Sequence, residues 1–192
     1  MSVWSGVGRT PSASVVVCSF RRPEALASCL RSLDAQTCQD FEVILRTEEG
    51  PLAGIRNRGL QETHAPVVCF IDDDTVAPPG WLAGVLDVFR RHPEAVGVTG
   101  PAIVPLTYRR NRDLLRYGWL RQLYGCLFVE IASPCHVSRS GAISITTDAN
   151  QGYDGEVQFL EACNMSFRTA ALKAIGGFDE AYTALGEWSE PD

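Results

Sequence analysis

Three short runs of strand-forming residues, each closing on polar side chains, decide most of what this chain can become: SVVVCSF (14–20), DFEVILR (40–46) and PVVCFI (66–71). The first and third are continuously apolar rather than alternating, the mark of a strand buried on both faces. Helical spacing fills the gaps between them. Pro23 suits a first helical turn, and Leu26, Leu30 and Leu33 follow at helical intervals. After a break at Gly50 and Pro51, Leu52, Ile55, Gly59 and Leu60 share one face. Beyond Pro78, Pro79 and Gly80, the segment WLAGVLDVFRRH carries an apolar stripe of Trp81, Leu82, Val85, Leu86 and Phe89, and AVGVTG (95–100) predicts a fourth strand. Strand and helix alternate, so the first hundred residues predict an α/β fold with a mostly parallel, Rossmann-like sheet flanked by helices and joined by right-handed crossovers.

The pattern weakens from about 101 to 155, where Pro101, Pro105, Pro134 and the polar stretch TTDANQGYDG predict irregular structure with a hairpin. EVQFLEACNMSFR (156–168) returns to strand character, TAALKAI predicts a short helix, and Gly176 with Gly177 supplies a left-handed stop. Residues 1–12 read as a flexible tail. With 192 residues and no repeat or linker, a single domain over 13–192 is expected.

A net charge of −6 opposes non-specific nucleic-acid binding, which depends on Lys and Arg neutralising phosphates. No apolar run reaches the ~18 residues of a membrane helix, and the opening MSVWSGVGRTPS lacks a signal-peptide core, so a cytoplasmic location is expected. The seven cysteines (Cys18, Cys29, Cys38, Cys69, Cys126, Cys135, Cys163) form no C-x-x-C pair and fall partly inside apolar runs, which predicts buried reduced thiols. His64, His92 and His136 are scattered, which argues against a zinc site or a catalytic thiol.

In an open parallel sheet, ligands bind at the carboxyl ends of the strands. Here those ends carry Ser19, Arg21 and Arg22, then Arg46, Thr47, Glu48 and Glu49, then Asp72, Asp73, Asp74 and Thr75. Three adjacent carboxylates repel one another by a few kcal/mol per pair, on the order of 4 kcal/mol at 4 Å and an effective dielectric near 20. A positive partner is therefore expected. Mg²⁺ takes one or two carboxylates plus substrate phosphates. Alternate aspartates in an extended strand end point the same way, so Asp72 and Asp74 can share that cation while Asp73 turns toward a ribose or the backbone. The plainer alternative is a solvated turn. Arg56, one turn into the second helix, can reach a diphosphate; alone, such an arginine is more often a surface ion-pair residue.

Taken together, VVVCSFRRPEALASCLRSLDAQ, FEVILRTEEGPLAGIRNRGL, FIDDDTVAPPGWL and CNMSFRTAALKAIGGFDE resemble a family 2 glycosyltransferase with the A-type nucleotide-sugar-binding fold, over about residues 14–192. The resemblance implies inverting transfer of a sugar from a nucleoside-diphosphate donor to a hydroxyl acceptor, a glycan or lipid-linked glycan. It implies Mg²⁺ or Mn²⁺ on Asp72 and Asp74, and donor contacts from Ser19, Arg21, Arg56, Asp73, Asn164 and Arg168. Residues 13–105 would form the nucleotide-sugar half and 106–192 the acceptor side, which lacks the helices that usually complete it.

Two departures stand out. Many family members end the second strand with a base-contacting aspartate, where this chain has Thr47 and Glu48; Glu48 is the expected substitute. The catalytic base falls in a short acidic motif after GGFDE, here GEWSEPD, so Glu190 is the expected base and Glu187 the next candidate. In YRRNRDLLRYGWLRQL (108–123), Arg109, Arg112 and Arg116 cluster on the side that also carries Trp119 and Leu123, so the faces are not segregated. A basic loop beside an anionic acceptor or donor, a solvated helix and peripheral contact at the inner face of a membrane all stay open. The rival functions are a nucleotidyltransferase, disfavoured by the lack of a Gly-rich phosphate loop after the first strand, and a non-catalytic sugar-nucleotide binding module.

Overall fold

The computed structural model describes residues 10–102, 135–137, 143–144 and 155–181. These fall into two units, one from the residues up to Val98 together with those from Ala162 onward, the other within Thr99–Glu161.

In the first unit, β1 (Ala13–Cys18), β2 (Phe41–Arg46) and β3 (Val67–Asp72) are connected by α1 (Pro23–Asp34) and α2 (Leu52–Gln61), and α3 (Trp81–Arg91) leads to β4 (Gly97–Thr99). The sequence places these elements to within a residue or two. After β5 (His136–Val137) and β6 (Ile143–Ser144), an antiparallel pair in the second unit, come β7 (Asn164–Arg168) and α4 (Thr169–Ala174). The strand foreseen over 156–168 is shorter and begins only at Asn164. The stretch 108–123 lies outside the described residues.

The main sheet runs β2-β1-β3-β7-β4. β1 is parallel to both β2 and β3, whereas β7 enters antiparallel beside β3, pairing Ile71 with Asn164 and Val67 with Arg168. Central β1 is buried on both faces. Burying each of Val15, Val16 and Val17 stabilises the fold by about 1.5–3 kcal/mol. Val15 and Val17 pack with Cys69 and Ile71 against Cys29 and Leu33 of α1 and Leu82, Val85 and Phe89 of α3. Val16 points the other way, into α2, where Gly59 permits close approach: a Cβ there would sit 2.6 Å from Val16 Cγ1. The chain leaves β1 for β2 on one side and returns to β3 on the other. Right-handed crossovers therefore put α1 and α2 on opposite faces, with the topological switch point between β1 and β3.

The amino edge of the sheet is closed. Glu42 accepts from Ser14 Oγ at 2.5 Å and from the His64 backbone N–H at 2.9 Å. Burial alone would push its carboxyl up, but the bonds from Ser14 and His64 outweigh burial and hold it below its ordinary value.

Candidate active site at the carboxyl edge

Register brings the strand ends level: Cys18 pairs with Arg46 on one side and Asp72 on the other, at the switch point. Ser19 is buried, and its N–H donates to Arg46 O at 2.8 Å. The exposed Arg21 turns the chain with φ of 55° and lays its guanidinium over the Phe20 ring, 4.8 Å from the centroid. A non-glycine residue held in the left-handed region costs on the order of 1–2 kcal/mol and persists where the surroundings enforce it.

β3 does not continue through the aspartates. It stops at Asp72, and Thr75 N–H donates back to Asp72 O at 3.1 Å, so Asp73 and Asp74 sit in a turn. This corrects the extended-strand argument for a shared cation. Asp73 turns inward, where Arg22 Nη1 donates to Oδ1 at 2.8 Å, while Arg22 Nη2 reaches Asp74 Oδ2 at 2.9 Å. Asp72 Oδ1 accepts from Arg56 Nη2 at 3.2 Å. Two guanidinium groups thus offset part of three negative charges. Burial pushes the Asp72 carboxyl above its ordinary value, with Arg56 opposing and Asp74 and Asp73 adding to the rise.

Arg56 is itself buried on α2. It also reaches Ala162 O at 3.4 Å and stands 5.9 Å over the Phe178 ring. Glu48, at the end of β2, accepts from Arg46 Nη2 at 2.6 Å and Arg58 Nε at 2.9 Å, and so sits in an ion-pair network. Asn164, at the start of β7, joins this edge and accepts from Trp81 Nε1 at 2.8 Å. Arg168 does not join it. Because β7 runs antiparallel, Arg168 lies at the amino edge, where Nε donates to Ala95 O at 2.9 Å and Nη2 to Phe89 O at 3.0 Å. It closes the end of α3 rather than facing a donor. Glu187 and Glu190 lie outside the described residues.

The glycosyl transferase family 2 profile matches residues 44–176, more than half of the chain. This chain belongs to that family. A glucosyl-dolichyl phosphate glucuronosyltransferase from Haloferax volcanii is 25% identical over 86% of this chain and 55% of the relative. Among solved structures, residues 1–349 of S. aureus TarS align with a TM-score of 0.56 and 14% identity, covering 91% of this chain and 52% of that one. A mannosyltransferase from Pyrobaculum calidifontis, in complex with GDP-Man and Mn²⁺, aligns with a TM-score of 0.54 and 14% identity, covering 90% and 49%. The structural likenesses establish the A-type fold. The chain spans about half the length of these relatives.

The donor set of this family 2 chain suits a hard divalent cation held jointly with a ligand. Asp72 and Asp74 present partly exposed carboxylates, and buried Asp73 Oδ2 has no hydrogen-bond partner among the described residues. Among the described residues no three His, Cys, Asp or Glu side chains converge into a cage. A pair of carboxylates completed by phosphate oxygens and water is the arrangement Mg²⁺ and Mn²⁺ accept.

Two contributors have roles that sequence reasoning did not supply. Buried Gln36 ties the end of α1 to the loop after the aspartates, donating to Pro78 O at 2.9 Å and accepting from Leu82 N–H at 3.0 Å. Asn57 clamps the GGFDE segment, donating to Phe178 O and accepting from Phe178 N–H, both at 2.8 Å. Their only signal was a polar residue beside apolar helix positions, which solvent explains equally well.

Proposed function

We propose that the chain carries the donor site of a metal-dependent inverting glycosyltransferase that moves a sugar from a nucleoside diphosphate to a hydroxyl acceptor. The observation that carries this reading is the placement of Asp72, hydrogen-bonded to Arg56, at the β1/β3 switch point of a family 2 chain, with Asp73 and Asp74 in the turn that follows it. Asp72 and Asp74 would hold Mg²⁺ or Mn²⁺, which as a Lewis acid offsets charge on the departing diphosphate. Arg56 orients Asp72 and presents a fixed positive charge to the same leaving group. Ser19, Arg21 and Glu48 border the nucleoside, and Asn164 borders the sugar. The acceptor lies over residues 156–192, where Glu190, or else Glu187, takes the hydroxyl proton as that oxygen attacks the anomeric carbon from the face opposite the diphosphate.

Neighbours in complex with GDP-Man and Mn²⁺ and with UDP-GlcNAc support the donor class. The glucosyl-dolichyl phosphate relative supports a lipid-linked glycan as acceptor. Among the described residues no helix is long and apolar enough to cross one.

The test is a calorimetric titration of UDP-, GDP- and dTDP-sugars with and without Mn²⁺. One donor is expected to bind only with the metal, and Asp72→Ala to weaken it at least about tenfold, the scale of a lost charge-assisted contact. Binding indifferent to Mn²⁺, or to Asp72→Ala, overturns the proposal.

A further inference from the structure

Asp73 and Asp74 are unequal partners of Arg22. The Asp73 side chain is 5% exposed, and its Oδ2 is enclosed with no hydrogen-bond partner among the described residues. Asp74 is 53% exposed, as is Arg22. Arg22 is the residue at the N-cap of α1, so its backbone is fixed where the helix begins, and its side chain alone spans the two carboxylates, one nitrogen to each. Breaking the inner bond would leave a buried carboxylate uncompensated, which is strongly unfavourable. Breaking the outer bond exchanges one exposed ion pair for hydration, at a cost of under about 1 kcal/mol.

We propose that Arg22 is a built-in counter-cation: it stays anchored on Asp73 and yields Asp74 only when a diphosphate accompanies the metal ion. The inference rests on the metal reading above and adds an order of binding to it. In the free protein Arg22 Nη2 already donates to Asp74, so a divalent cation arriving alone must displace it and then sits close to a guanidinium that stays held on Asp73. With a diphosphate present, the released Nη2 gains phosphate oxygens to donate to, a geometry the guanidinium fork suits. Metal and nucleotide therefore enter together, and the site stays partly neutralised between turnovers.

The experiment counts free Mn²⁺ by electron paramagnetic resonance over the full chain, as wild type, Arg22→Gln and Arg22→Lys, each alone and with UDP, GDP or dTDP. Both variants are expected to bind Mn²⁺ alone roughly two- to fivefold more tightly than wild type, the range set by one exposed ion pair. The gain in Mn²⁺ affinity on adding nucleotide is expected to shrink by the same factor. Arg22→Lys keeps a charge for Asp73 but reaches one carboxylate only, so it carries the test if circular dichroism finds Arg22→Gln unfolded. Nucleotide-dependent Mn²⁺ uptake in wild type, with metal-alone affinity in the folded variants no better than wild type, overturns the counter-cation and leaves the metal reading intact. No Mn²⁺ uptake by any form with any nucleotide overturns both.

Discussion

Glu48 gathers Arg46 Nε, Arg46 Nη2 and Arg58 Nε onto one carboxylate oxygen. The Arg46 hydrogen bond first, and Arg58 after it, hold its carboxyl at about 2, below an ordinary value of 4.5, with partial burial opposing. A depressed carboxylate stabilises the fold fully above its unfolded pKa and ceases to do so as pH falls through the folded one. The benefit of Glu48 over Glu48→Gln should therefore be constant above about pH 4.5 and vanish as pH approaches 2, as urea midpoints followed by circular dichroism across that range will report. Exposed pairs contribute under about 1 kcal/mol each, so the effect is small. At this scale the sequence is legible only in part. The acidity of 72–74 announces a need for positive charge, and Arg22 stands in plain view in SFRR. What pairs them is a tertiary contact between the β1–α1 corner and the β3 turn, which no local pattern encodes.

Elements were easier to read than their neighbours. Apolar runs and helical spacing act within a few residues, so β1 to β3 and α1 to α3 declare themselves. The position of β7 does not, because an antiparallel strand between β3 and β4 satisfies the same local preferences as one at an edge. Local pattern is equally silent on strand direction, and it is the antiparallel run of β7 that carries Arg168 to the amino edge while Asn164 stays at the carboxyl edge. The GGFDE segment offers a sharper test of element packing. Gly176 and Gly177 adopt φ of 88° and 85°, but a Cβ on Gly176 meets open space, whereas one on Gly177 would lie too close to Asn57 Oδ1. Gly176→Ala should cost only the left-handed backbone, roughly 1–2 kcal/mol. Gly177→Ala should cost about 2–4 kcal/mol, because it also pushes Phe178 off the two Asn57 hydrogen bonds. Thermal unfolding of the pair, with Asn57→Ala as a third variant, measures the clamp; equal losses in the two glycine variants contradict it.

At the scale of the whole molecule the six described cysteines are free thiols; Cys29, Cys69 and Cys135 are buried as expected, whereas Cys18, Cys38 and Cys163 are only half-buried. Burial pushes Cys69 up to about 12, and Cys18 and Cys29 to about 11, so all three stay protonated at neutral pH. Iodoacetamide labelling at pH 8, read by peptide mass spectrometry, should spare Cys29 and Cys69 in the native protein and modify them only as the sheet opens. Rates that rise together with denaturant would mark one cooperative core. The order in which that core is made follows from β7. Residues 164–168 leave the ribosome long after 67–72, yet they supply the hydrogen bonds along the outer side of β3. Until then a nascent chain carries a bare, hydrophobic strand margin, the kind that recruits stray β-structure. Chaperone occupancy is therefore expected to peak while residues 73–163 are being synthesised and to drop once the late strand seats itself.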